Sequence, residues 1–397
     1  MLGYVTGDMY RQRKPRPLFR IPETVNGLYD MAVLEHDRPA VIHSAEQFGW
    51  AQMPDWRSDR QILRIALYCS EKLHLEAPER VAIVGQAHPF WCHAEFALLA
   101  LRAVPVGIEH DVSDELLRET LASNDVRVAF ATDAASASRL HAARAHLPRL
   151  AHIIAPDVVS DDAQVTTLAA LLDQANVLDT AERASKVREL MRSATVDDPC
   201  GDHVRSAAHG APGVVRLTQG EAMVRAKDHL ARFAARAGDV TYVAGDRVTM
   251  TSRLATYVYV GDGRTTLAYG TRGKSAEEMR TLRPTALLAS PEFLEQMWHD
   301  VTDGRPNIMK ATPGLARLGS GARARKMQRV FAEATGGRVR CIEPTDALPE
   351  SLSAALAQVA LLLDPAGGPP RRPGDARTRR EVGEVTIGST RLRAEVR

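Results

Sequence analysis

Between residues 60 and 155 short β-branched runs alternate with segments of helical periodicity, and that alternation most constrains what the chain can fold into. Ile62, Ile65, Ala66 and Cys69 recur at helical spacing over 60–73. Arg80–Val84 is a compact apolar run that stops at Gly85. A helical segment over Phe90–Arg102 leads into Val104–Ile108, another over Ser113–Asn124 into Arg127–Ala131, and the pattern repeats into His152–Ala155. Strands joined by whole helices cannot pair as hairpins. They cross over instead, which makes the sheet parallel and puts the helices on its faces. Strands covered on both faces read as continuous apolar runs, as these do.

Upstream, Thr24 is placed to cap a helix over Val25–His36 with Leu28, Met31, Ala32 and Leu34 as its stripe. Residues 46–58 read as irregular. Residues 176–199 are charged and weakly apolar and mark a boundary. Beyond them, helices are predicted over Glu221–Ala237, Pro291–Val301 and Ala322–Ala334, and strands near Arg247–Thr251, Thr265–Tyr269 and Ala286–Ala289. Residues 365–380 hold four Pro, three Gly and five Arg, a flexible basic loop. The expected organisation is a basic arm over 1–20, an N-terminal α/β subdomain over 21–185, a second over 186–364, the basic loop over 365–380 and a terminal β remnant over 381–397.

Composition removes several function classes. Lys plus Arg number 51 against 49 Asp plus Glu in 397 residues, a net charge of +2, so no specific nucleic-acid partner is expected. The four cysteines stand far apart with no CxxC pair, which argues against a disulfide framework or a zinc ribbon. The basic N-terminus lacks the apolar segment of a secretory signal, and the longest apolar stretches, 96–106 and 356–363, are too short to span a bilayer. A soluble cytoplasmic protein is the expectation. GxSxG is absent. Gly270–Ser275 ends like a Walker loop but lacks its first glycine. Cys200, His203 and His209 have no fourth ligand nearby and read as unliganded surface residues. His88 and His93 are expected in capping or core roles.

Several stretches, taken in order, resemble the large N-terminal domain of adenylate-forming enzymes, the AMP-binding acyl-CoA synthetase superfamily. Glu79–Val84 is similar to the first sheet strand. Trp91–Val106 is similar to the helix and strand that normally read A-x-L-A-x-x-x-A-G-A-V-x-V-P. Gly245–Val248, Leu267–Gly270, Arg283–Thr285, Ser290–Glu295 and Leu318–Ala322 resemble successive landmarks of long-chain acyl-CoA synthetases. The resemblance covers roughly residues 24–395. It implies an α/β fold: a three-layer large domain of two βαβ-type subdomains with a reduced β-rich third part.

The resemblance also assigns a site. The family's phosphate loop falls on the stretch from Ser206 to Gln219, where Ser206, Gly210, Pro212, Val215, Leu217 and Thr218 keep the frame. The hydroxyl pair becomes Ala208 and His209, the lysine becomes Gly213 and the final histidine becomes Gln219. Small residues would still let a backbone wrap phosphates, but most charged donors are replaced; His209 and Arg216 remain as cations. The Tyr-Gly-x-Thr-Glu motif falls on Ile342–Asp346. Thr345 and Asp346 keep its hydroxyl–acid pair, Ile342 lacks the aromatic face, and Glu343 adds a negative charge. The implied nucleotide-binding residues are thus Ser206, His209, Gly210, Pro212, Thr218, Thr345 and Asp346. The implied acyl pocket is Leu254, Thr256, Tyr257 and Leu288, with Thr256 where a histidine is usual. ATP or AMP and Mg²⁺ are the implied ligands, with Asp346 the residue for the metal.

Two readings stay open at this level. In one, the protein is a degenerate, non-catalytic synthetase paralogue that binds a partner, an acyl chain or a nucleotide. In the other, it is an AMP-forming acyl-activating ligase, making an acyl-adenylate from ATP and a carboxylic acid, completed by a C-terminal domain on another chain. The partners implied are an intact synthetase, a free C-terminal domain or another protein of a complex. The sequence shows no Thr-Gly-Asp motif after Glu384–Gly388, where the family carries its ribose-binding acid. The substituted loop and the expected lack of a C-terminal domain favour the first reading.

Overall fold

The computed structural model describes residues 22–35, 41–45, 49–53, 55–156, 165–206, 213–233, 238–244, 248–262, 265–270, 274–301, 320–360, 384–387 and 390–393. The basic arm and the 365–380 loop lie outside these residues, as do His209, Gly210 and Pro212.

The predicted parallel core is present. β3 (Arg80–Gly85), β4 (Val104–Glu109), β5 (Val128–Ala131) and β6 (His152–Ala155) pair in parallel, with α3 (Pro89–Ala100), α4 (Asp114–Ser123) and α5 (Ala134–Arg144) as crossovers. The sheet is completed by β7 (Val165–Thr167), β8 (Pro199–Arg205) and β9 (Gly213–Thr218) in the order β7-β6-β5-β3-β4-β8-β9. β8 and β9 form its antiparallel edge.

The second sheet runs β15-β14-β13-β12-β10-β11-β1-β2. Its strands are β1 (Val41–Ala45), β2 (Gly49–Met53), β10 (Asp239–Ala244), β11 (Thr265–Tyr269), β12 (Ala286–Ala289), β13 (Cys341–Pro344), β14 (Glu384–Ile387) and β15 (Thr390–Arg393). Its middle is parallel, and an antiparallel hairpin closes each end.

Side-chain alternation along each strand divides the interior into three cores. Val81, Ile83, Val128 and Phe130 from the first sheet, and Val243, Leu267 and Leu288 from the second, meet in a central core. It also takes residues of α1 (Val25–Glu35), α2 (Asp55–Glu71), α3, α6 (Leu168–Asn176), α7 (Ala181–Arg192), α8 (Gln219–Phe233) and α9 (Met250–Asp262). The intervening residues Ala82, Val84 and Ile108 pack outward on α4 and α5. Tyr242, Leu287 and Ile342 pack outward on α10 (Ser275–Leu282), α11 (Pro291–Val301), α12 (Ser320–Thr335) and α13 (Glu350–Ala360). Each sheet is thus the middle of a three-layer α/β unit, and the two units share their inner helices.

The structure corrects several local expectations. Of the strand expected near Arg247–Thr251, the described residues 248–251 form none; Arg247 lies outside the described residues. Thr249 and Ser252 exchange backbone-to-side-chain bonds, Ser252 N to Thr249 Oγ1 (3.2 Å) and Thr249 N to Ser252 Oγ (2.8 Å). This reciprocal cap starts α9 and outweighs the β preference of the run. Residues 49–53 within the irregular stretch form β2, and α2 begins at Asp55. The weakly apolar 176–199 segment contains α7, whose Val187 and Met191 are buried. The sheets also do not divide at 185/186: β8 and β9 complete the first sheet, while β1 and β2 belong to the second. Among the described residues no helix is long and apolar enough to cross a membrane.

Candidate functional site

The carboxyl ends of the parallel strands are where an open α/β sheet holds a ligand, and the assigned residues fall at such ends. Ser206 follows β8, and Thr345 and Asp346 follow β13. Ser206 is buried; its backbone N–H donates to Glu109 Oε2 at the end of β4 (2.9 Å). Thr218 caps α8. Its hydroxyl accepts from Glu221 N (3.2 Å), and its own N–H donates to Glu221 Oε2 (2.9 Å). Gln219, at the place of the family's histidine, is buried and caps α1 by accepting from Val25 N (2.9 Å) and Asn26 N (3.2 Å). The cation Arg216 faces Asp202 (3.4 Å).

On the other sheet, Thr345 N–H donates to Ala289 O (2.9 Å) and its hydroxyl to Asp346 Oδ2 (3.2 Å). Ile342 packs in the outer core against α12 and α13, so by alternation Glu343 shares the inner face with Cys341. Among the described residues no three His, Cys, Asp or Glu side chains converge as a metal site. Asp346 alone fits Mg²⁺ only if a nucleotide's phosphates supply further oxygens, the usual habit of that ion.

Three of the four acyl-pocket residues, Leu254, Tyr257 and Leu288, lie in the central core, and Thr256 lines a crevice where α3, α9, β10 and β11 meet. The crevice volume is about 10 Å³, the space of one water molecule. A buried charge cluster fills the rest. Arg253 Nε donates to Glu95 Oε1 (2.7 Å), Arg253 Nη2 reaches the same oxygen (2.5 Å), and Arg253 Nη1 donates to Asp202 O (2.7 Å). The Tyr257 hydroxyl also donates to Glu95 Oε1, and Trp91 Nε1 to Glu95 Oε2 (3.2 Å). Burial opposes the charge of Arg253, but the Glu95 carboxylate more than offsets it and raises the guanidinium pKa. Burial, with Cys200 and Glu95 nearby, keeps the Tyr257 phenol protonated, and burial pushes the Cys200 thiol up to about 12.

Glu95, Arg253 and Glu109 were not singled out by sequence reasoning. The only signal for Glu95 was a lone acid inside the apolar run Phe90–Leu101. Cys200 and His203, expected on the surface, are both 2% exposed, because β8 is an inner strand. His203 Nε2 lies 3.3 Å from Glu109 Oε1. His88 caps α3 by accepting from Phe90 N (3.1 Å), and His93 is buried. The Walker-like stretch leads into α10, whose first turn buries Glu278 under the Tyr242 hydroxyl (2.7 Å).

No curated protein matches the sequence. Solved structures do match in fold. The inhibitor-bound N-terminal domain of FACL13 from Mycobacterium tuberculosis superposes with a TM-score of 0.56 at 16% identity, over 84% of this chain and 73% of that one. The anthranilate CoA ligase AuaEII, in complex with anthranoyl-AMP, gives 0.62 at 13% identity, over 85% and 58%. A Mycobacterium tuberculosis fatty acyl CoA synthetase gives 0.54 at 16% identity, over 85% and 58%. At such identities the likeness carries the fold. The sequence itself matches the family model of AMP-binding enzymes over residues 30–385. The chain therefore belongs to the AMP-binding enzyme family and is built like the large domain of its acyl-activating members.

Proposed function

We propose that this protein is a non-catalytic member of the family that acts by binding rather than by adenylating an acid. The observation that carries the reading is the Glu95–Arg253 pair, which fills the crevice and leaves about 10 Å³. A medium or long acyl chain needs a pocket of ~300 Å³ or more. The residue substitutions point the same way. Gly213 stands for the phosphate-loop lysine, Ala208 for a hydroxyl and Ile342 for the adenine-stacking tyrosine. Losing one preorganised charge stabiliser typically costs ~10²–10³ in rate. The small crevice favours a protein partner over an acyl chain as the ligand, an intact synthetase or a C-terminal domain among the candidates.

The test is ATP–pyrophosphate exchange by the purified chain with carboxylic acids of graded length. Exchange at the buffer blank is expected. Exchange well above it would overturn the reading. One observation favours the other reading, a ligase completed by a C-terminal domain on another chain: the retained Thr345–Asp346 pair at the end of β13. Magnesium-dependent ATP binding that is lost in Asp346→Ala would support it.

A further inference from the structure

We propose that Glu109 sets the ligand specificity of this site, acting as a built-in anion that turns polyphosphates away at the carboxyl end of β8. The inference deepens the reading above and rests on the assignment of Ser206 as the first residue of the phosphate loop. Glu109 is the last residue of β4 and fully buried (0% exposed). β4 lies beside β8 in parallel register, Ile108 opposite Val204, so Glu109 and Ser206 sit together at the carboxyl ends of adjacent strands.

Backbone N–H groups at strand-to-loop junctions are what hold phosphate in such folds. Here the N–H of Ser206 donates to Glu109 Oε2 (2.9 Å). Oε1 of the same carboxylate faces His203 Nε2 (3.3 Å). Both carboxylate oxygens of Glu109 are thus engaged, one by the Ser206 N–H and one beside the imidazole. The imidazole is fixed in turn: Nε2 faces the acid, and among the described residues Nδ1 has no hydrogen-bond partner.

The floor beneath is also built for this arrangement. A Cβ at Gly107 would lie 3.0 Å from the Trp91 ring, 3.1 Å from Arg253 Nη1 and 3.2 Å from His203 Nδ1. The bare glycine thus lets the crevice cluster and the Glu109–His203 pair approach one another. One buried polar chain runs from Tyr257 through Glu95 and Arg253 to the backbone of Asp202, and from the adjacent His203 through Glu109 to Ser206. A phosphate arriving at Ser206 would compete for a donor already engaged and meet a like charge in a poorly hydrated setting, where repulsion is least screened.

The experiment titrates the full chain with sodium pyrophosphate, reading heat by calorimetry and the thermal unfolding midpoint. Glu109→Gln keeps the size and the acceptor for Ser206 N–H but removes the charge. Its affinity should be at least about tenfold tighter than wild type, with a midpoint that rises with pyrophosphate only in the variant. Equal affinity in the two proteins, or binding by neither, would overturn the proposal. Glu109→Ala supplies a second route. It should bind pyrophosphate, and formate, which restores a carboxylate to the vacated position, should compete with it. Binding that formate does not weaken, or none at all, would count against the proposal even if Glu109→Gln does not fold. Wild-type pyrophosphate exchange bears on the non-catalytic reading alone. A silent wild type with an unchanged Glu109→Gln sinks only this inference.

Discussion

The crevice at the junction of the two sheets and the groove on the outer face of the second sheet are built from the same kinds of element but differ about fiftyfold in volume. Between α3 and α9 about 10 Å³ is open; between α10, α11 and α12 about 480 Å³ is. The crevice is closed by long polar side chains that bond one another, Glu95, Arg253 and Tyr257. The groove is lined by Met279, Phe293, Met297 and Val330, with Arg280, Asp300 and Glu333 among its polar groups. Strand order decides where a hollow can form. The side chains projecting into it decide whether it exists. A crevice filled by ions carries a further consequence, because each ion depends on its partner in a way the groove's residues do not.

The largest expected effect tests that dependence. Arg253→Met leaves Glu95 buried without a counter-charge and should cost about 3–5 kcal/mol, read as a lowered urea midpoint. The double variant Glu95→Leu with Arg253→Met should recover most of the loss, since an apolar pair of similar volume often replaces a buried ion pair without penalty. A double variant no more stable than the single would mean the pair contributes through packing rather than charge.

Next in size is Gly107→Ala. With neighbours at 3.0–3.2 Å on three sides, the added methyl should cost about 1–3 kcal/mol by overpacking. It should also displace Trp91, which a shift in tryptophan fluorescence would report.

The arrangement of β3 to β6 was legible because each of these strands is a contiguous apolar run and each crossover between them a full helix. Arg80, Val104 and their successors pair in the register that alternation demands. The helix over Pro291–Val301 was legible to the residue. What escaped sequence reasoning was decided over long separations. Nothing local says that β1 pairs with Thr265–Tyr269 or that 199–205 lies beside β4. Nor does anything around Arg253 say that its partner is Glu95, 158 residues away. α9 was misread because Val248–Thr251 has β preference, whereas the reciprocal Thr249–Ser252 cap is visible only once the turn has formed. For the site, Ser206, Thr218, Thr345 and Asp346 were assigned through the resemblance alone. That Thr218 caps a helix and that Ser206 meets Glu109 was not legible.

A smaller, pH-dependent effect sharpens the contrast, because only the crevice side carries a fully buried imidazole. Burial lowers the pKa of His203 below its ordinary 6.5, an effect that the Glu109 hydrogen bond opposes and nearby Arg253 reinforces. The unfolded chain takes up a proton as pH falls through 6.5 while the folded chain does not. This contribution to stability is therefore complete above pH 6.5, declines below it, and levels off beneath the folded pKa. His203→Gln should flatten the unfolding midpoint against pH in that window, leaving the slope from His152, whose pKa burial also lowers. An unchanged profile would show that folding leaves the pKa of His203 where it is in the unfolded chain.

At the groove the expectation is near silence. Gln296 is exposed and bonds only its helix neighbour Asp300 (2.7 Å) among its described contacts. Gln296→Ala should change stability by no more than about 0.5 kcal/mol. A loss of several times that would mean the groove is filled in solution.

The β1–β2 hairpin has a temporal consequence. Its partner strand, β11, lies about 210 residues further along the chain. At a synthesis rate of ~5–20 residues per second, the ribosome needs ~10–40 s to deliver it. The entire first sheet emerges during that interval. The hairpin must wait with one edge unpaired, the condition under which strands join the wrong neighbour. A burst of fast translation between residues 53 and 265 should therefore shorten its exposure and raise the yield of folded protein.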